Sequence, residues 1–155
     1  MTDDRGTTLD TAYPDPTKSP GLALWHVTNS WQRAVREALQ PFELTHVQYV
    51  LLAALTWSGA SGPTTQRDLA DVAGTDVMMT SQVVRALAAK GLVVRGQHPT
   101  DRRAFDLQVT TAGATLASAA TVAVEAADRD YFAPLRARSA DFIGHLTALH
   151  EAHPR

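Results

Sequence analysis

The sequence predicts a mainly helical fold that carries one small β-hairpin. Apolar residues recur at three- and four-residue steps through most of the chain, as they do in amphipathic helices. Two short runs rich in β-branched residues, over 92–95 and 104–109, interrupt this pattern and flank a polar tip. Two short helical segments, joined by a tight turn that contains glycine, precede the hairpin.

The composition bounds the class of protein. With 155 residues, 45% of them hydrophobic and 19% charged, the chain suits one globular domain with a core. It has no cysteine, which excludes a disulfide scaffold, thiolate metal ligands and direct thiol sensing of oxidants. No apolar run approaches the roughly 18 residues of a membrane span, and the N-terminus lacks the features of a signal peptide. We expect a cytoplasmic protein that needs neither a cofactor nor a membrane.

The N-terminal segment, residues 1–19, is predicted to be a disordered leader because Asp, Pro and Thr dominate it. A helix follows. Ser19 and Pro20 have the chemistry of a helix start, with Ser as the N-cap and Pro at the first helical position. Pro41 ends this helix, so its predicted span is 20–40.

Capping patterns mark the next two helices. Thr45 begins one of them, and Gln48 completes a capping box three residues later. The segment that follows, HVQYVLLAALTW, is apolar on most sides, which favours a central buried helix. Thr65 and Asp68 repeat the capping pattern at the start of a short helix, which Gly74 closes.

Asp76 caps a further helix, which Gly91 closes. The two short helices and the turn between them predict a helix-turn-helix, and the hairpin after them adds a wing. The predicted fold is therefore a winged helix-turn-helix over about residues 44–110, within a single domain that spans 20–155.

Long helices flank this unit. Thr110 caps a long Ala-rich helix, Pro134 breaks it, and Ser139 is predicted to cap the last helix. The flanking segments, 20–40 and 111–153, have apolar faces that a small winged helix does not need. They are predicted to be dimerisation helices, which makes a homodimer the expected assembly.

The charge distribution predicts a polyanionic partner. The net charge of the chain is −2, yet residues 85–103 carry five basic side chains and one acidic side chain. A local basic stripe on an acidic body is the electrostatic footprint of a nucleic-acid-binding protein. The alternative interpretation of the same charges is a solvated face.

The second helix of the helix-turn-helix is predicted to read double-stranded DNA. On a helical wheel, its core face holds Thr80, Val83, Val84 and Leu87. The N-terminal half of such a helix enters the major groove, where an amide recognises adenine and a methionine contacts the thymine methyl group. The predicted DNA contacts outside the wing tip are Thr65, Gln66, Met78, Met79, Ser81, Gln82, Arg85 and Arg95. The alternative is an ordinary exposed face, with one Met filling the core.

The tip of the hairpin carries the triplet Asp101, Arg102 and Arg103. Arginine is favoured in a narrow minor groove, where the negative potential is enhanced. A carboxylate beside it can hold the guanidinium in place through a charged hydrogen bond. We interpret the acid as a brace and one arginine as the probe. The alternative is a surface ion pair worth at most about 1 kcal/mol.

The segment TTQRDLADVAGTDVMMTSQVVRALAAKGLVVRGQHPTDRRAFDLQVTTAG resembles the MarR family of bacterial transcriptional regulators. The motifs RALAAKGLVVR, DRR and VTTAG carry the resemblance, which extends over about residues 20–152. It implies a homodimer on a pseudo-palindromic operator, usually a repressor that a small ligand or an oxidant relieves. It also implies that Arg103 enters the minor groove, that Asp101 orients it and that Arg102 contacts phosphate. The adjacent Met pair departs from the smaller polar residues expected there.

The sequence argues against two other classes of function. An enzyme or metal site would have to use His145, His150 and His153, but the spacing in HEAH is one residue short of a two-histidine zinc motif. We predict no metal and no catalysis. A winged helix that binds only protein would share the fold but lack DNA affinity, and the basic wing tip argues against it.

A small-molecule effector, if there is one, is expected between the DNA-binding lobe and the dimer helices. The candidate lining residues are Trp25, His26, Trp31, Tyr49 and Trp57. Core or dimer contacts are the alternative role for each of them.

The brace hypothesis makes a prediction of unusual sign. Arg103→Ala should strongly reduce specific DNA binding. Asp101→Ala should also weaken binding, although it removes a negative charge near phosphates. A charged hydrogen bond contributes about 1.5–3 kcal/mol, whereas one screened repulsion costs about 1 kcal/mol or less. Titration near physiological salt, with folding confirmed, checks this, and tighter binding by Asp101→Ala would refute the brace.

Overall fold

The computed structural model describes residues 10–59, 62–97 and 105–154. Its regular elements are α1 (Pro20–Leu39), α2 (His46–Ser58), α3 (Gln66–Ala73), α4 (Val77–Ala89), β1 (Val93–Gln97), β2 (Phe105–Val109), α5 (Thr111–Phe132) and α6 (Ser139–Ala152). Short 3-10 segments occupy Pro16–Lys18, Gln40–Phe42 and Ala133–Arg138. The predicted fold class, helices with one hairpin, is confirmed. No helix of the described ranges is long and apolar enough to cross a membrane.

Local capping chemistry determines where most of the helices begin. In each case the side-chain oxygen accepts a hydrogen bond from a backbone N–H in the first turn, and the capping residue is extended, as an N-cap requires. The confirmed caps are Ser19, Thr45, Thr65, Asp76 and Thr110.

The predicted cap of the last helix is wrong. Ser139 is itself helical, with φ −60° and ψ −38°, and its hydroxyl donates to the Arg136 carbonyl at 2.9 Å. The 3-10 segment Ala133–Arg138 runs directly into α6, so no extended residue separates the two. Ser139 therefore cannot present its oxygen to the first turn of α6.

Part of the predicted disordered leader is folded. Asp15 accepts hydrogen bonds from the Thr17 backbone at 2.9 Å and from its hydroxyl at 2.7 Å, which starts the 3-10 segment Pro16–Lys18. These residues form a turn, whereas composition alone predicts irregular chain. Residues 1–9 lie outside the described part of the chain.

The core is built around α2, as the sequence predicts. Leu51, Leu52 and Leu55 of α2 are buried. Small residues of α5, among them Ala117 and Ala120, are buried opposite them and let the two helices approach closely. The other large apolar side chains that are fully buried come from α1, α3, α4 and the hairpin: Val35, Leu39, Leu69, Val84, Leu87, Val93 and Leu107.

The two strands pair antiparallel, with Val93 opposite Val109. The start of α5 is fixed against the start of β1, because the Thr110 N–H donates to the Leu92 carbonyl at 3.0 Å. Gly113, in the first turn of α5, lies so close that a Cβ atom there would be 2.1 Å from the Leu92 oxygen. This contact explains the glycine that ends the VTTAG motif.

Replacing that glycine should therefore destabilise the protein. Gly113→Ala forces α5 away from a backbone carbonyl, and overpacking of this kind costs about 1–3 kcal/mol. Gly21→Ala is the matched control, because Gly21 lies in the first turn of α1 with nothing near its Cβ position. Urea denaturation should show a lower unfolding free energy for Gly113→Ala alone. Equal stability of the two variants would contradict the close approach.

Candidate nucleic-acid interface

The turn between α3 and α4 fixes the angle of the second helix. Gly74 ends α3 in the left-handed region at φ 63°, and Asp76 caps α4 by accepting from the Met79 N–H at 2.8 Å. The buried hydroxyl of Thr80 donates to the Asp76 carbonyl at 2.8 Å and lies 2.7 Å from the Thr75 hydroxyl. This network ties the first turn of α4 to the turn before it.

The core face predicted for α4 is confirmed, with Thr80, Val84 and Leu87 buried and Val83 half-buried. The opposite face is open. Met78 is 78% exposed and Met79 is 41% exposed, so neither methionine fills the core.

Polar side chains continue this open face. Gln82 and Arg85 are exposed and Ser81 is half-buried. The Nε of Arg85 donates to the Ser81 carbonyl at 3.3 Å, which directs the guanidinium along the helix. The face therefore offers two methionines at the N-terminal end of α4, then an amide, then a cation. We call the set Met78, Met79, Ser81, Gln82 and Arg85 the recognition face.

Two further predicted DNA contacts bond within the protein. The hydroxyl of Thr65 accepts from the Asp68 N–H at 3.2 Å and donates to its carboxylate at 2.6 Å. The Gln66 amide donates to the Val77 carbonyl at 3.4 Å, a long bond that links the starts of α3 and α4. Thr65 caps α3, and Gln66 links the starts of the two helices. Their contacts with DNA stay predictions.

The base of the wing carries an exposed cation. The guanidinium carbon of Arg95 lies 4.8 Å from the centroid of the Phe105 ring, within the range of a cation–π contact. The sequence pointed to Arg95 but not to Phe105. The available signal was an aromatic residue at the start of β2. Asp101, Arg102 and Arg103 lie outside the described residues, so their roles stay predictions.

A buried carboxylate in β2 was also missed. Asp106 accepts from the Thr64 N–H at 3.0 Å and from the Gln108 amide at 2.7 Å. One residue along, the Leu107 N–H donates to the Thr64 carbonyl at 2.9 Å. The residue before the α3 cap is therefore bonded to the wing strand. The available signal was an aspartate inside a run of strand-forming residues.

One cation of the basic stripe forms a hydrogen bond within the protein. The ammonium group of Lys90 donates to the Glu43 carbonyl at 2.6 Å, where Glu43 is left-handed at φ 53°. Lys90 thus closes the turn after α1. Within the parts of the stripe that the structure describes, Arg85, Lys90 and Arg95 are all exposed.

The candidate effector residues do not form one pocket in this chain. Trp25 and His26 are exposed on α1. Trp31 donates to the Asp128 carboxylate at 2.7 Å and packs edge-on against His46.

The other two effector candidates do lie together. Tyr49 and Trp57 both line a cavity between α2 and α5.

Burial lowers the pKa of His46, the partner of Trp31, and the nearby Asp128 opposes that shift. His145, His150 and His153 are exposed on or beside α6. The described residues contain no group of three or more side chains able to hold a metal ion.

The helices α3 and α4 pack on the core, the second of them exposes one face, and the hairpin is bonded to the residue before the α3 cap. Together these features define a winged helix-turn-helix DNA-binding protein. The model of the MarR family matches residues 44–105. The uncharacterized HTH-type transcriptional regulator YdcH of Bacillus subtilis (strain 168) is 44% identical over 122 residues, covering 78% of this chain and 83% of YdcH. The chain belongs to the MarR family, and it is a DNA-binding transcriptional regulator.

Solved structures agree with this assignment. CouR from Rhodococcus jostii RHA1, bound to p-coumaroyl-CoA, is 28% identical with a TM-score of 0.76, covering 90% of this chain and 95% of CouR. The S. aureus MepR–DNA complex is 20% identical with a TM-score of 0.79, covering 87% of this chain and 98% of MepR. At 20% identity, the similarity to MepR shows a shared fold only.

The recognition face predicts a division of labour between its amide and its cation. Gln82→Ala should relax the preference at one base position and cost about 1–3 kcal/mol on the best site. Arg85→Ala should weaken binding to all duplexes alike and flatten the salt dependence, because its predicted contact is with phosphate. Affinities for matched and single-mismatch duplexes at several salt concentrations separate the two effects. The same sequence-independent loss in both variants would contradict this division.

Proposed function

We propose that the protein is a repressor that binds a pseudo-palindromic operator as a homodimer and is released by a small ligand. The observation that carries the proposal is the recognition face. Exposed large apolar groups usually have a partner, and Met78 is 78% exposed beside the polar Gln82 and Arg85. The floor of the major groove, with thymine methyl groups and hydrogen-bonding base edges, complements such a face.

In this proposal the recognition face reads bases and the wing adds backbone and shape contacts. Gln82 and Ser81 supply hydrogen bonds, and Met78 and Met79 supply apolar contacts. Arg85, at the C-terminal end of the recognition face, and Arg95, on β1, neutralise phosphates. Arg102 and Arg103, which lie between the two strands in sequence, add the contacts of the wing tip, with Asp101 as the brace.

Homodimerisation is supported by the helices at the two ends of the fold. Trp25 is 64% exposed on α1, and Ile143 and Leu149 are 62% and 57% exposed on α6. No residue of α6 is buried. A 14-residue helix with an uncovered apolar stripe needs a partner surface, and a second copy supplies one by symmetry.

Release by a ligand is the part of the proposal that draws on relatives. CouR has been solved with p-coumaroyl-CoA bound, and this chain has a cavity of about 510 Å³ between α2 and α5. Such a volume lies within the usual range of small-molecule sites. As a regulator without enzymatic activity, the protein would act in the cytoplasm, where bacterial DNA is found.

Selection of bound sequences from random duplex DNA tests this function. A dimer with one recognition helix per protomer should enrich two inverted half-sites about 10 base pairs apart. The absence of any enriched sequence, together with no salt-sensitive gel shift, would contradict DNA reading and indicate a protein-binding winged helix. Transcription from a promoter that overlaps the selected site should fall when the protein is added.

Dimerisation has its own test. The double change Ile143→Asp and Leu149→Asp should give a monomer in sedimentation velocity at micromolar concentration and abolish the shift of the selected duplex. Ala148→Asp is the matched control, because the exposed Ala148 lies about 140° around α6 from Ile143 and about 100° from Leu149. The control should remain a dimer. A wild-type monomer under the same conditions would contradict the proposal.

A further inference from the structure

The strongest unassigned feature is the groove between α2 and α5. Tyr49, Ala53 and Trp57 line it along one face of α2, and small residues of α5 line the other side. Ala53 lies between two aromatic residues one helical turn away on either side, so it leaves a gap between their rings. The resulting cavity measures about 510 Å³.

The aromatic rings are presented to a ligand in different ways. Trp57 is 86% exposed, which leaves its large apolar surface without cover in this chain. Tyr49 is half-buried, and its hydroxyl lies 3.4 Å from that of Thr121 on α5. One ring is thus held across the groove and the other is free to close on an occupant.

The charge of the lining determines which ligands suit it. Glu125 of α5 is the one ionisable acid or base, apart from Tyr49, among the described residues that line this groove. The adjoining cavity, between α2 and Val72 of α3, is lined by uncharged residues within the described part of the chain. An anionic ligand would therefore meet a carboxylate and no countercharge.

We propose that this groove binds a small aromatic organic cation, with Glu125 as its counter-ion and the rings of Tyr49 and Trp57 against its face. Aromatic faces attract cations through their quadrupole, and this is how proteins bind quaternary ammonium groups. The inference rests on the proposed ligand-regulated function, because the same groove is the proposed effector site. It adds the chemical class of the effector.

Arg129 is the nearest competitor for Glu125 along α5. It lies one turn further on, at the spacing of a helical ion pair, but it does not line the groove. Exposed pairs at this spacing are weak, so Arg129 would compete little with a cation held between the two rings. Arg129→Gln should accordingly leave cation binding equal or stronger.

Three bicyclic probes of similar size test the proposal: N-methylquinolinium, quinoline at pH 8, and 1-naphthoate. Calorimetric titration of the full chain, without DNA, should rank the cation first, with the anion about tenfold weaker or worse. Glu125→Gln should lower the affinity for N-methylquinolinium about fivefold and leave that for quinoline unchanged. Glu37→Gln, which removes an exposed carboxylate from α1, is the control and should change neither affinity.

Several outcomes would overturn the inference. One is tighter binding of 1-naphthoate than of N-methylquinolinium. A second is no binding of any probe at millimolar concentration, and a third is an unchanged affinity for the cation in Glu125→Gln. The Trp57→Ser variant should bind the cation more weakly and should remain a dimer. If it becomes a monomer, a second copy covers the groove and the inference fails. DNA binding by the same preparations is measured separately, so loss of the proposed regulator function is distinguishable from failure of the ligand class.

Discussion

The bonds between Thr64 and the second wing strand hold the DNA-binding unit together. Asp106 accepts from the Thr64 N–H at 3.0 Å, and the Thr64 carbonyl accepts from Leu107 at 2.9 Å. Thr65, the next residue, caps α3, and the turn after α3 sets the direction of α4. The wing and the recognition face therefore share one anchor. A buried carboxylate is tolerated here because it receives two hydrogen bonds.

The same anchor connects the DNA-binding unit to the rest of the molecule. β2 leads directly into α5, whose first turn is held against Leu92 by Thr110 and by the close approach of Gly113. α5 packs along α2, and the groove between these two helices is the proposed effector site. An occupant that spreads α2 from α5 would act on elements bonded to the wing, which gives a small ligand a physical route to the DNA-binding surface.

Sequence alone predicted the parts of the structure that short-range chemistry decides. Ser19, Thr45 and Asp76 cap helices because their partners lie within three residues, and the faces of α4 follow from helical periodicity. The anchor at Asp106 joins residues 42 positions apart, and the role of Lys90 depends on a carbonyl 47 positions away. No local pattern encodes such contacts. The sequence named Tyr49 and Trp57 as candidate effector residues but not the α5 side of the groove, because its shape depends on how α2 and α5 pack.

The DNA affinity of Asp106→Ala, measured on folded protein at physiological salt, tests the anchor most directly. The change leaves the buried Thr64 N–H without its acceptor, a loss of about 1–3 kcal/mol. Of the two bonds between Thr64 and β2, only the one from Leu107 then remains. The account predicts binding about tenfold weaker or worse, which corresponds to 1.4 kcal/mol at about 25 °C. Simple electrostatics predicts the reverse, because a negative charge has been removed from a DNA-binding protein. Unchanged or tighter binding would contradict the account.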